Sequence, residues 1–358
     1  MNIEGPGDLY QAIGGRDACQ RLSEAFYTRV KRDPVLRPLF PAKSMRCAID
    51  AFAAFLAQLL GGPGEDAQKR WWLSLHESHR RFKISPRERQ AWMSTMVEAL
   101  DDVPVEESLR NALREFFDRA STYLVNTGHL DAVAGESPSH DRVQCEFAQR
   151  WTEQRALDDL VAAIRVNDAN RALELTLGPA LRARFARDRA VFAHVLGLML
   201  ECANDAFWEY AERELRADPA LANVHNRYGR TLLHDASAHG NVRMVELLLR
   251  LDADPNVKTS GGHTPLYSVA DECRVTGGGN VVHALVGAGA HVNVRSDAQR
   301  CTPLHMAARR GNTEVGEALL DCGAEIDARD KSGLTPLQRA KNCHKEGVAM
   351  LLEASLNK

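Results

Sequence analysis

The chain has 358 residues, 44% hydrophobic and 26% charged, and its 45 basic and 48 acidic side chains leave a formal net charge of -3. A single core rarely fills more than about 250 residues, so at least two domains are expected. Balanced charge and the lack of any apolar run of bilayer-spanning length exclude, on composition, a nucleic-acid-binding or membrane-spanning protein.

The N-terminus, MNIEGPGDLYQAIGG, has neither a basic leader nor an apolar stretch after it. The eight cysteines are scattered without a C-x-x-C pair, which argues against a zinc ribbon or a disulfide framework, and a cytoplasmic home is expected. RDACQRLSEAFYTRVKRDP predicts a helix from Asp17 that Pro34 ends. AIDAFAAFLAQLLGG places Ile49, Phe52, Phe55, Leu56 and Leu59 on one helical face, with Gly61 and Gly62 closing the helix. In SPRERQAWMSTMVEAL, Ser85 is an N-cap, Pro86 the first helical residue and Glu88 the partner of a capping box. EESLRNALREFFDRASTYLV supplies a last helix, and no alternating strand pattern interrupts the series. The first 128 residues therefore read as a small all-α sandwich.

Between the second and third of these helices stands HESH, residues 76 to 79. A zinc-protease helix needs its histidines four apart so that both imidazoles meet one ion; His76 and His79 are three apart. A haem iron needs only one histidine, provided that apolar and aromatic side chains grip the porphyrin.

The pieces LYQAIGG, AFYTRVKRDPVLRPLFP, FLAQLLGGP, SHRRFKISPRERQAWM and YLVN together resemble a truncated haemoglobin of the group II branch, over residues 8 to 127. The resemblance implies a 2-on-2 globin fold binding haem b, with His79 as the proximal iron ligand in H-x-x-F-x-I and Phe82 and Ile84 beside the porphyrin. It implies further that Phe40 packs on the haem face, and that Phe52 and Phe55 form the wall of the distal helix. Tyr27 and Trp92 correspond to the family's distal hydrogen-bond donors, and Ala48 stands where many globins carry a distal histidine. A charge-assisted hydrogen bond from either donor would stabilise a bound diatomic ligand by about 1.5 to 3 kcal/mol. One departure concerns the haem propionates: the residue before the proximal histidine, often basic in the family, is Ser78, leaving Arg80 and Arg81 as the nearby cations.

NTGHLDAVAGESPSHDRV, residues 126 to 143, breaks the helical pattern, and a linker is expected over 129–154. Repeats follow. GRTLLHDASAHGNVRMVELLL, GHTPLYSVADECRVTGGGNVVHALV, RCTPLHMAARRGNTEVGEALL and GLTPLQRAKNCHKEGVAMLL are anchored on Thr231, Thr264, Thr302 and Thr335, at steps of 33, 38 and 33 residues. The surplus lies in CRVTGGGN. In each unit Thr opens a helix, small residues such as Ala236, Ala307 and Ala308 permit close packing, and a second helix carries a ridge such as Val245, Leu247, Leu248 and Leu249. A hairpin-like segment (ADPNVK, AHVNVR or AEIDAR) closes the first three. These units resemble ankyrin repeats, clear over 229–358 and degenerate over 155–228, so the fold expected is a truncated globin followed by an ankyrin α-solenoid.

The resemblances imply a haem-binding globin that takes dioxygen or another diatomic ligand, joined to a scaffold that recruits a protein partner, as in a gas or redox sensor. The alternative is a haem redox enzyme, a nitric oxide dioxygenase or a peroxidase-like protein, localised by its repeats and served by an external electron donor. The exposed loop tips expected to meet a partner are Arg227, Tyr228, Lys258, Thr259, Asp297, Gln299, Lys331 and Ser332.

Overall fold

A computed structural model describes residues 8–40, 44–62, 74–127, 142–226 and 228–357. It divides into two units, Met1–Asp188 and Arg189–Lys358. No strand is present among the described residues; the nearest approach to one is an isolated antiparallel bridge between His225 and Thr231.

In the first unit the helices are α1 (Asp8–Ile13), α2 (Gly15–Val30), α3 (Arg46–Leu59), α4 (Leu75–His79), α5 (Pro86–Asp101), α6 (Glu107–Tyr123), α7 (Arg142–Arg165), α8 (Ala169–Leu177) and α9 (Pro179–Arg187). Local chemistry sets their ends. Gly14, at φ 102°, adopts the left-handed turn that lets α2 start two residues ahead of Asp17. The capping box at α5 forms, with Ser85 accepting from the Arg87 amide and Glu88 reaching back to the Ser85 amide. α2 packs on α3 and α5, and α5 on α6, forming an all-α sandwich. Leu22, Phe26, Leu56, Met96, Leu113 and Phe117 fill its core and are almost wholly buried.

The linker expected over 129–154 is helical from Arg142 onward, and its residues 129–141 lie outside the described ones. The physical reason is that Val143, Phe147 and Trp151 recur at helical spacing and are buried in the core of the first unit. Phe116 receives Phe147 at 5.8 Å and Trp151 at 5.7 Å between ring centroids. α7 also packs on α8 and α9, so residues 155–187, expected at the head of the repeat array, belong to the first compact unit.

The second unit runs α10 (Arg189–Glu201), α11 (Asp205–Ala217), α12 (Leu232–Ala238), α13 (Val242–Arg250), α14 (Pro265–Glu272), α15 (Gly278–Gly287), α16 (Pro303–Arg310), α17 (Thr313–Asp321), α18 (Pro336–Asn342) and α19 (Glu346–Leu356). α12, α14, α16 and α18 stack in one row, and α13, α15, α17 and α19 in a second. Thr231, Thr264, Thr302 and Thr335 are the N-caps of the first row. Of the ridge on α13, Val245, Leu247 and Leu248 are buried, with Met244 beside them, whereas Leu249 is only partly so.

Two devices tie neighbouring repeats. The imidazoles of His234 and His305 accept from the backbone N–H of Thr231 and Thr302 at Nδ1, both 3.2 Å, and donate from Nε2 to the carbonyls of His263 and Leu334 in the following repeat, at 3.1 and 3.0 Å. The hairpin-like segments are turns stitched by asparagines. Asn256 donates to the Gly289 carbonyl and accepts from the His291 amide, and Asn293 does the same with Gly323 and Glu325. The insert in the second repeat is likewise held by its successor: Glu314 accepts from the amides of Gly277 and Gly279, at 3.0 and 2.9 Å. A Cβ on Gly278 would lie 2.7 Å from Val315, so this approach requires glycine.

Candidate functional site

His79 is the last residue of α4, and its ring nitrogen Nδ1 lies 2.8 Å from the Leu75 carbonyl and 2.9 Å from the Ser78 hydroxyl. A carbonyl only accepts, so Nδ1 carries the proton and Nε2 keeps its lone pair. Burial holds the imidazole below the ordinary histidine value; Arg81 and His76 act in the same direction, and the Leu75 bond opposes them. The result is a neutral imidazole in a single tautomer, which is the form that ligates a metal.

The loop after it is clamped from the end of α6. Asn126 donates from Nδ2 to the Phe82 carbonyl at 2.8 Å and accepts at Oδ1 from the Ile84 amide at 2.9 Å, while its own amide donates to the Ile84 carbonyl at 2.9 Å. This fixes the backbone on either side of Lys83. In the sequence Asn126 stands out only as the last residue of YLVN; an asparagine just past a helix end, free to bond backbone, is the local signal of such a clamp.

From His79 a continuous series of ring contacts leads inward: to Phe82 at 6.1 Å, from Phe82 to Phe40 at 5.8 Å, from Phe40 to Tyr27 at 5.4 Å and from Tyr27 to Phe52 at 6.4 Å. Trp92 joins through Phe26, whose ring lies 5.3 Å from it and 5.1 Å from that of Tyr27. Phe55 stacks on Phe52 at 6.2 Å, at the edge of this group, and also lines a small cavity with Gln58, Leu59, Arg150, Gln154 and Arg184. Ile84 is placed by its backbone bonds and is partly buried, as are Phe40, Phe52, Phe55, Phe82 and Trp92. Tyr27 is buried more fully, and burial raises its phenol pKa well above the ordinary value, so it stays a protonated donor.

The nearby cations have separate engagements. The Arg81 guanidinium lies over the Phe82 ring at 4.8 Å, and Arg80 is exposed. The Ser78 hydroxyl donates to the Leu75 carbonyl at 2.8 Å. His76 turns to Tyr123, at 6.1 Å between centroids, and among the described residues no group of three His, Cys, Asp or Glu side chains could hold a metal ion. Asp158 of α7, which no sequence motif singles out, is buried and accepts from the amides of Leu75 and His76 at 2.8 and 3.4 Å.

This donor set fits haem. It offers one imidazole nitrogen with a free lone pair, flat apolar walls that are packed on the core yet partly exposed, and two hydrogen-bond donors, Tyr27 against Phe40 and Phe52 and Trp92 behind Phe26.

In the second unit the expected contact residues Tyr228, Lys258, Asp297, Gln299, Lys331 and Ser332 are exposed, and Arg227 lies outside the described residues. Thr259 differs. It is partly buried, and its hydroxyl accepts from the His263 amide at 3.2 Å, so it shapes its own turn.

Comparison with known proteins matches residues 8–126 to the bacterial-like globin family, and residues 215–266 and 273–358 to ankyrin repeats. Group 2 truncated hemoglobin YjbI of Bacillus subtilis (strain 168) is 32% identical over 117 residues, 33% of this chain and 87% of that protein. Alpha-latrotoxin-Lg1a of Latrodectus geometricus is 35% identical over 132 residues, 36% of this chain but 9% of the toxin. Ankyrin repeat and SOCS box protein 16 of Homo sapiens is 37% identical over 112 residues, 31% of this chain and 24% of that protein. The chain thus spans most of the globin relative and a small part of the other two. No helix among the described residues is long and apolar enough to cross a membrane.

Proposed function

We propose, from the premise that this chain belongs to the truncated haemoglobin family and carries ankyrin repeats behind its globin, that it binds haem b on His79, takes up dioxygen or another diatomic gas, and presents that state to a protein partner. The observation that carries this reading is the 2.8 Å bond from His79 Nδ1 to the Leu75 carbonyl, which keeps Nε2 available as a ligand. Haem, once held, supplies an iron with a position open to a diatomic ligand. The rest is the work of this chain's own side chains. Phe40, Phe52, Phe55, Phe82 and Ile84 exclude water and grip the porphyrin, and the clamp at Asn126 keeps Phe82 and Ile84 in place. Tyr27 and Trp92 donate hydrogen bonds to the ligand, which slows its escape. Arg80 and Arg81 are the cations nearest to His79 in sequence for the propionates.

In the same reading residues 155–228 are degenerate repeats ahead of the clear ones at 229–358, the family match beginning at residue 215. The Asp168 and Asn204 N-caps at their turns support it, since Asn241 and Asn312 occupy the same place in the clear repeats. The exposed tips Lys258, Asp297, Gln299 and Lys331 offer mixed charge to a protein partner.

The test is the absorption spectrum of purified full-length protein reconstituted with haem, in the ferric, ferrous and gas-bound states, beside a His79→Gly variant. A Soret band that depends on His79 and a stable gas-bound form are expected. Failure to take up haem, or identical spectra without His79, would overturn the assignment.

A further inference from the structure

The matched globin segment ends at residue 126, yet the helix after it reaches the neighbourhood of His79. α7 enters the globin core through Val143, Phe147 and Trp151, the last 5.6 Å from Tyr123 between centroids. Further along the same helix, Gln154 and Asp158 follow at helical spacing from Trp151 and bring polar groups to the wall beside α4.

Asp158 is only 3% exposed, so its carboxylate depends on the donors around it. It accepts from the Leu75 amide at 2.8 Å, the His76 amide at 3.4 Å and Gln154 Nε2 at 3.0 Å, and the side chains of Ser74 and Tyr123 also bond to it. α4 is five residues long, so its leading amides have no intrahelical partner, and it has too little length to set its own orientation. Leu75 joins the two side chains. Its N–H donates to Asp158, and its carbonyl accepts the hydrogen bond from His79 Nδ1–H.

We propose that Asp158 is a positioning residue for His79: by holding Leu75 from α7 it sets the direction and hydrogen bonding of the imidazole, and so ties the iron ligand to a helix outside the globin family segment. The proposal rests on the reading of His79 as that ligand. It makes α7 part of the haem site, and any partner or ligand that displaces α7 would change the strength of the iron–histidine bond.

The experiment compares the parent full-length chain with its Asp158→Ala, Asp158→Asn and His79→Gly variants. Hydrogen exchange of the 75–79 amides is followed without haem. The iron–histidine stretching band of the ferrous protein and the rate of haem transfer to an excess of apomyoglobin are followed with it. Loss of a capping acceptor should speed amide exchange in Asp158→Ala about tenfold. Loss of support behind a metal-ligating histidine should speed haem transfer about 10- to 100-fold, with a shifted or split stretching band. Asp158→Asn, which keeps an acceptor oxygen for Leu75, should fall between. Faster exchange with an unaltered band and unaltered transfer would make Asp158 a structural cap only and overturn the proposal, as would no change at all. If Asp158→Ala does not fold, the isosteric Asn variant decides the matter through the same three measurements: altered band and faster transfer support the proposal, and their constancy overturns it. An iron–histidine band that persists in His79→Gly would instead overturn the ligand assignment itself, and the proposal with it.

Discussion

At the scale of single residues, two hydrogen-bond donors govern what the pocket does with a ligand. The Tyr27 hydroxyl and the Trp92 indole N–H are each replaceable without emptying the core, since both rings pack against Phe26. Removing either donor as Tyr27→Phe or Trp92→Phe should raise the dioxygen dissociation rate about 10- to 100-fold, measured by stopped-flow replacement with carbon monoxide. A second residue-scale expectation concerns His234. Burial pushes its pKa down to about 4 from an ordinary 6.5. A depressed value in the folded state means that the unfolded chain binds the extra proton. The neutral imidazole therefore contributes fully above pH 6.5, and the contribution is lost as pH falls towards 4. Between pH 7 and pH 4.5 this site alone should cost the repeats about 2 to 3 kcal/mol of unfolding free energy. Urea titrations of the parent and His234→Gln should show a shallower pH dependence in the variant.

At the scale of elements, the ends of helices are where sequence and structure agree most closely. The Ser85–Pro86–Glu88 start of α5 is legible because every participant lies within four residues. Ser85→Ala should lower the stability of the first unit by about 1 kcal/mol, read as a lower midpoint in thermal unfolding. The threonine caps of the repeats are legible for the same reason, reinforced by their period. What escapes is long-range. Asp158 meets Leu75 across 83 positions, and Asn126 meets Phe82 across 44, so nothing in either neighbourhood announces its partner. The Gly, Ser and Pro content up to residue 138 suggests a linker and hides the Val143, Phe147 and Trp151 stripe that begins just past it. The aromatic residues around His79 stand between these cases. Their identity follows from the family resemblance, whereas the order of contact from His79 through Phe82 and Phe40 to Tyr27 is a tertiary fact. Trp151→Ala, which would open a cavity against Phe116 and Tyr123, should destabilise the first unit by about 3 to 5 kcal/mol in urea unfolding.

At the scale of the whole molecule, each of the two units has its own buried core. Denaturation followed by circular dichroism should accordingly show two transitions. For haem that binds the native globin alone, a hundredfold excess over its dissociation constant should stabilise one transition by about 2.7 kcal/mol and leave the other in place. Equal movement of both would mean that the units unfold as one.

His79 and the two buried histidines of the repeats hold their protons on opposite nitrogens. His79 keeps its proton on Nδ1 and donates it in a hydrogen bond to the Leu75 carbonyl, whereas His234 and His305 hold theirs on Nε2 and direct it to the next repeat. Thirteen histidines in one chain offer many places for a misplaced metal. The two buried in the repeats are protected from capture by the bonds that stack them, since coordination at Nε2 would first require a repeat interface to open. The closure of His234 and His305 to a metal is therefore a by-product of how the scaffold coheres.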